Sequence, residues 1–277
     1  MSARLARRFE ALEKAGRPGL TPFAVAGDPA PATADLVFDS LRTRGADIIE
    51  IGIPASAPAM DGAVIQRGHQ RAVQSGAGSL DAIGQAARLR AQDADMPLIL
   101  MGYAAEIRSA GPARFLGAMG EAGADGLLVV DALPDERIAW SQLARAQDVA
   151  FIQIVASDVD AESPPGPAWA RNGFVYCVAS TGPTGGSPPA VAALATRAGK
   201  ARRATGLPVM AGFGVRTPAM ATAIGGFADA VAIGTVVVDS LEKSLASGGK
   251  GQEIANAVGD VVADLAEGLS KARLTAR

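Results

Sequence analysis

The chain has 277 residues, nearly half of them apolar and only 4% aromatic, so its core must be large and built from small aliphatic side chains. Its 26 basic and 28 acidic residues leave a net charge of −2, which supplies no positive field for nucleic acid or an anionic membrane surface. One cysteine cannot close an internal disulfide, and one cysteine with one histidine cannot make an ordinary zinc site.

The first residues are charged and periodic, unlike a signal peptide, and no apolar run approaches the roughly 18 residues of a membrane span. The expectation is a cytoplasmic protein without a membrane segment. A helical pattern at 3–15 precedes eight short aliphatic runs, at 20–27, 47–53, 97–103, 126–131, 149–155, 174–179, 207–212 and 229–234. Such runs, bounded by Gly, Pro or Asp, read as buried parallel strands. Between them the spacing predicts helices near 31–45, 80–93, 110–123, 134–147, 189–204 and 216–226, with fainter patterns near 63–75 and 163–172. A last helical region covers 235–272. Strict alternation demands a parallel sheet, and eight units at this length predict a (β/α)8 barrel, with a doubly wound open sheet as the alternative. No linker interrupts the pattern, so residues 1–277 read as one barrel domain with an extra N-terminal helix and C-terminal helices. The Gly- and Pro-rich stretch 180–189 has the length and composition of a mobile lid.

In a barrel, chemistry sits at the C-terminal ends of the strands. Glu50 lies among isoleucines in the second run, and burying a carboxylate there without a partner is costly. It is either paired with a lysine or arginine or belongs to the site; periodicity does not say which way it points. Asp61 follows in the loop after the same strand, where Asp-Gly is also an ordinary turn signal. Together they could form an acid/base pair. Gly212-Phe213-Gly214 ends the seventh run, while Gly234-Thr235 ends the eighth and opens a helix. Glycines at these two strand ends suit a phosphate, whose oxygens take backbone N–H groups at a helix N-terminus. Neither stretch has a Walker or dinucleotide spacing, so ATP and NAD are poor candidates. Cys177 reads as inert core, and Tyr176 as either core or barrel mouth. His69, between Arg67 and Arg71, reads as a solvated or supporting side chain rather than a catalytic one.

Ile49-Glu50-Ile51-Gly52-Ile53-Pro54, followed by Ser56, Pro58, Asp61-Gly62 and Ile65-Gln66-Arg67, resembles the strand-two signature of the tryptophan synthase α subunit family. Phe23 with Ala26-Gly27-Asp28-Pro29, Gly173-Phe174-Val175-Tyr176, Gly182-Pro183-Thr184-Gly185, Gly212-Phe213-Gly214 and Gly234-Thr235 follow in that family's order. The resemblance implies retro-aldol cleavage of indole-3-glycerol phosphate to indole and glyceraldehyde 3-phosphate, with no metal or organic cofactor. It implies Glu50 as general acid/base and Asp61 as the carboxylate on the indole N–H. Phe23 and Tyr176 would line the indole pocket, Thr184 would close onto the aspartate, and Gly185, Gly214, Gly234 and Thr235 would hold the phosphate. Alternatives are a non-catalytic ligand-binding or regulatory paralogue, or a barrel aldolase or isomerase for another phosphorylated substrate. No strand carries a Schiff-base lysine, which disfavours one aldolase type. Three departures stand out: Ala57 where the family has an aspartate, Ala105-Glu106 where it has Asn-Pro, and Val25 where it has threonine. The first two lie in loops that meet the family's β subunit, so that partnership is in question and the chain could act alone.

Overall fold

The computed structural model describes residues 2–162, 172–178, 191–212 and 214–272. Nine parallel strand segments form one sheet: β1 (Gly19–Val25), β2 (Ile49–Gly52), β3 (Leu98–Gly102), β4 (Gly126–Val129), β5 (Ala150–Phe151), β6 (Gln153–Val155), β7 (Val175–Val178), β8 (Val209–Gly212) and β9 (Ala230–Ile233). Their order is β5-β4-β3-β2-β1-β9-β8-β7-β6. The two outermost segments are halves of one run divided only at Ile152, so the sheet closes on itself as the eight-stranded barrel read from the sequence.

The helices are α1 (Ala3–Lys14), α2 (Pro31–Thr43), α3 (Ala63–Gln74), α4 (Ser79–Gln92), α5 (Ala104–Ala110), α6 (Pro112–Glu121), α7 (Pro134–Ala146), α8 (Asp158–Glu162), α9 (Val191–Thr205), α10 (Pro218–Gly225), α11 (Thr235–Ala246) and α12 (Gln252–Ser270). Proline stands in the first turn of α2, α6, α7 and α10, where its missing N–H costs nothing. Beyond the division of the fifth run at Ile152 and the unexpected α8, two features differ from the sequence reading. A short helix, α5, precedes the one expected from 110, the two being parted at Gly111 with φ +80°. The C-terminal helical region breaks into α11 and α12 around Gly248 and Gly251, both at positive φ. The helix expected at 163–172 lies outside the described residues, except for Asn172, which is not helical. The 180–189 stretch also lies outside them. Among the described residues, no helix is long and apolar enough to cross a membrane.

Strand alternation sorts the core. Ile49, Ile51 and Ile53 face the helix layer, whereas Ile48, Ile99, Leu128, Ile152, Phe174 and Met210 fill the barrel interior. Leu5, Phe9 and Leu12, on one face of α1, join the interior cluster and close the N-terminal end of the barrel. Phe9 packs on Phe174 at 5.9 Å between ring centroids. Burying each such side chain is worth about 1.5–3 kcal/mol.

The same end is tied by a recurring polar device. The residue leading into every second run accepts a backbone N–H from the run before it. Asp47 takes Leu20 N–H at 3.0 Å, Asp125 takes Leu98 at 2.9 Å, Asn172 takes Phe151 at 3.0 Å and Asp229 takes Val209 at 2.7 Å. Arginines neutralise the three buried aspartates: Arg17 on Asp47, Arg4 and Arg90 on Asp125, and Arg202 on Asp229.

Candidate active site

At the opposite end, the C-terminal ends of β1, β2, β3, β7, β8 and β9 surround a recess lined by Phe23, Glu50, Asp61, Ile65, Met101, Tyr176, Gly214, Ala232, Gly234 and Thr235. Glu50 pairs in register with Phe23 on β1 and Ile99 on β3. Its neighbours Ile49 and Ile51 turn outward, so alternation sends the carboxylate inward. It is 1% exposed, and Oε1 has no hydrogen-bond partner among the described residues. Among the described residues no lysine or arginine pairs with Glu50, against the ion-paired reading. Burial alone pushes its carboxyl up to about 8, so the group is a neutral acid at pH 7.

Asp61 is buried but richly held. The Tyr103 hydroxyl donates to its Oδ2 at 2.8 Å while accepting the Met60 N–H at 3.1 Å. The Gln66 amide fastens the Asp61 backbone carbonyl at 2.8 Å, tying the loop to α3. Burial and the adjacent Asp61 raise the Tyr103 phenol, which stays a hydrogen-bond donor. Two carboxyl groups therefore face one recess in unlike settings, one desolvated and one hydrogen-bonded.

Tyr176 points inward from β7 and lines the recess. Burial first, then Glu50 and Asp61, hold its phenol well above the ordinary value, so it remains neutral. Two glycines make room for the aromatic walls. A Cβ on Gly52 would stand 2.6 Å from the Phe23 ring, and one on Gly212 would stand 3.2 Å from the Tyr176 hydroxyl. Gly214 has φ +76°, a backbone conformation that glycine adopts freely. Gly234 caps α11 without any side-chain bond to its first turn, which leaves backbone N–H groups and the positive end of the helix at the recess. Thr184 and Gly185 lie outside the described residues, as does Phe213. Among the described residues, no three His, Cys, Asp or Glu side chains could share a metal ion.

The structure adds three lining residues that sequence reasoning did not place, Ile65, Met101 and Ala232, and sets Tyr103 and His69 behind Asp61. Tyr103 ends the third run, so the rule that strand ends face the site could have found it. His69 is not solvated; it is 2% exposed, with Nε2 3.5 Å from Asp61 Oδ2. The signal was helical spacing, because Ile65, His69 and Ala72 share the buried face of α3. Cys177 is buried on the outer face of β7, with its thiol pushed up by burial to about 12.

This arrangement can be compared with known proteins. A family model described as tryptophan synthase alpha chain matches residues 9–267. The tryptophan synthase alpha chain of Caulobacter sp. (strain K31) is 40% identical over 242 residues, covering 86% of this chain and 87% of that protein. That of Granulibacter bethesdensis is 38% identical over 275 residues and covers 99% of both. The crystal structure of tryptophan synthase subunit alpha from Legionella pneumophila superimposes with a TM-score of 0.86 at 27% identity, covering 97% of this chain and 98% of the other. A Mycobacterium tuberculosis tryptophan synthase structure gives 0.84 at 26% identity, covering 99% and 100%. With its barrel, its strand-two carboxylate and a match along nearly its whole length, the chain belongs to the tryptophan synthase alpha chain family.

Proposed function

We propose that this protein is an indole-3-glycerol phosphate lyase that releases indole and glyceraldehyde 3-phosphate. The observation that carries the reading is Glu50: a buried carboxyl, raised to about 8, whose Oε1 has no hydrogen-bond partner among the described residues and which shares a recess with Asp61. In the reaction, Glu50 donates its proton to indole C3, and the ring becomes a cationic electron sink. The carboxylate so formed takes the proton of the adjacent glycerol hydroxyl. The C3–C1′ bond then breaks, its electron pair restores the indole, and C1′ becomes the aldehyde. Glu50 ends as it began, so one group serves as acid and then base. Asp61 binds the indole N–H and stabilises the positive charge on the ring. Phe23, Tyr176, Met101 and Ile65 bound the indole. Gly214, after β8, and Gly234 and Thr235, at the start of α11, receive the phosphate.

We read residues 1–277 as one barrel domain in the cytoplasm, acting either with a β subunit or alone. The test is direct. Purified protein given indole-3-glycerol phosphate should release indole and the triose phosphate in equal amounts. Binding without release would favour a non-catalytic paralogue, and neither binding nor release would favour another phosphorylated substrate.

A further inference from the structure

We propose that His69 is a positioning residue that acts through Asp61, an assignment that rests on the lyase reading above. The ring lies on the buried face of α3, with centroids 6.4 Å from both Phe23 and Tyr103. The backbone N–H of Ala55, the second residue beyond Ile53, points at Nδ1 at 3.1 Å. A donor there requires a lone pair on Nδ1, so the ring proton sits on Nε2. Nε2 in turn faces Asp61 Oδ2 at 3.5 Å. One imidazole thus spans the loop that carries Asp61, accepting from Ala55 at its start and standing 3.5 Å from the carboxylate at its end. Tyr103 donates to the same Oδ2, so the phenol and the imidazole both act on one oxygen of the carboxylate. Asp28 and Arg71, paired with each other at 2.7 Å, stand beyond the ring and place no donor on Asp61.

Three variants and one spectrum test this. His69→Phe keeps a ring and removes both nitrogens; it should lower kcat at least about tenfold, with KM changed less, because a misaligned carboxylate fails mainly in the transition state. His69→Gln, whose amide can reach where Nε2 stood, should recover most of that loss. In an Asp61→Asn background, His69→Phe should cost almost nothing further, whereas a purely structural role would remain additive. Thermal unfolding of each variant separates folding from positioning. This chain has a single histidine, so nitrogen NMR of the folded protein reads its tautomer without any assay. The Nε2–H form, with a resonance that moves in Asp61→Asn, is expected. The Nδ1–H form, or a folded His69→Phe with wild-type kcat, would overturn the assignment. If the wild type released no indole but gave the expected spectrum, the lyase reading would fail while the His69–Asp61 contact stood.

Discussion

Among the described residues Glu50 has no ion partner, and its burial, which would destabilise a resident carboxylate, is what makes it an acid at neutral pH. The sign of the pH dependence follows. A carboxyl raised to about 8 is protonated below that pH and loses its proton above it, and the reaction must start from the protonated form. We expect kcat/KM to fall along a basic limb near pH 8, and a pH–rate profile of the free enzyme checks it. Glu50→Gln keeps the shape but can neither give nor recover a proton, and Asp61→Asn removes the charge that offsets the cationic ring. Each should lower turnover by at least about a hundredfold with the fold intact. Steady-state kinetics with a circular dichroism control decide this, and near wild-type turnover in either variant would remove that residue from the mechanism. Both acids stood out in the sequence as candidates, Glu50 because a carboxylate among isoleucines demands an explanation and Asp61 because it follows in the loop after the same strand. The direction of Glu50 was not, since both faces of a parallel barrel strand are buried and alternation gives no polar side to mark. His69 was hidden for a related reason: its sequence neighbours Arg67 and Arg71 pair with Glu242 and Asp28 on other elements, which disguises the buried face they flank.

At the scale of elements, the end of β9 and the start of α11 form the candidate phosphate site, and the structure separates two ways of damaging it. A Cβ on Gly234 would sit 3.5 Å from Phe23 and 3.6 Å from Ile65, ordinary contacts, and its φ of −119° suits any residue. Gly234→Ala should therefore change KM less than about threefold. Gly234→Asp places a carboxylate on the positive end of the helix, where it both satisfies the N–H groups and repels the phosphate, and it should raise KM at least about tenfold. Measuring KM for both variants checks the argument, and equal effects would show that space rather than charge governs the position. The eight runs were readable because each is a compact aliphatic stretch between turn residues. Helix α5 was not, because seven residues offer too few turns for a period to register. The split of the strand at Ile152 was equally invisible, since it leaves no mark in composition.

Across the whole molecule, the two ends of the barrel have different tasks. The N-terminal end is sealed by α1 and knit by the Asp and Asn staples, while the other end carries the recess and the loops around it. We propose that a β subunit, as the family resemblance implies, meets the chain at the loops after β2 and β3. There this chain presents Ala57 and Ala105, both exposed, with Ala105 and Glu106 in the first turn of α5 rather than in an Asn-Pro loop. The Ala104 N–H is taken by Asp131 at 2.7 Å, which anchors that turn to the following strand's loop. Alanine offers neither charge nor hydrogen bond, and losing one member of a charged interfacial pair commonly costs about 2–5 kcal/mol, more than a typical allosteric coupling of roughly 1–3 kcal/mol. We therefore expect a weak response, or none, to a tryptophan synthase β subunit, while basal indole release depends only on the recess. A β subunit altered in parallel could restore the contact, so both the β chain encoded in the same organism and a standard one belong in the test. Each is titrated into the indole-release assay. Activation by the organism's own β chain alone would show matched substitutions, and strong activation by both would show that neither Ala57 nor Ala105-Glu106 governs the coupling.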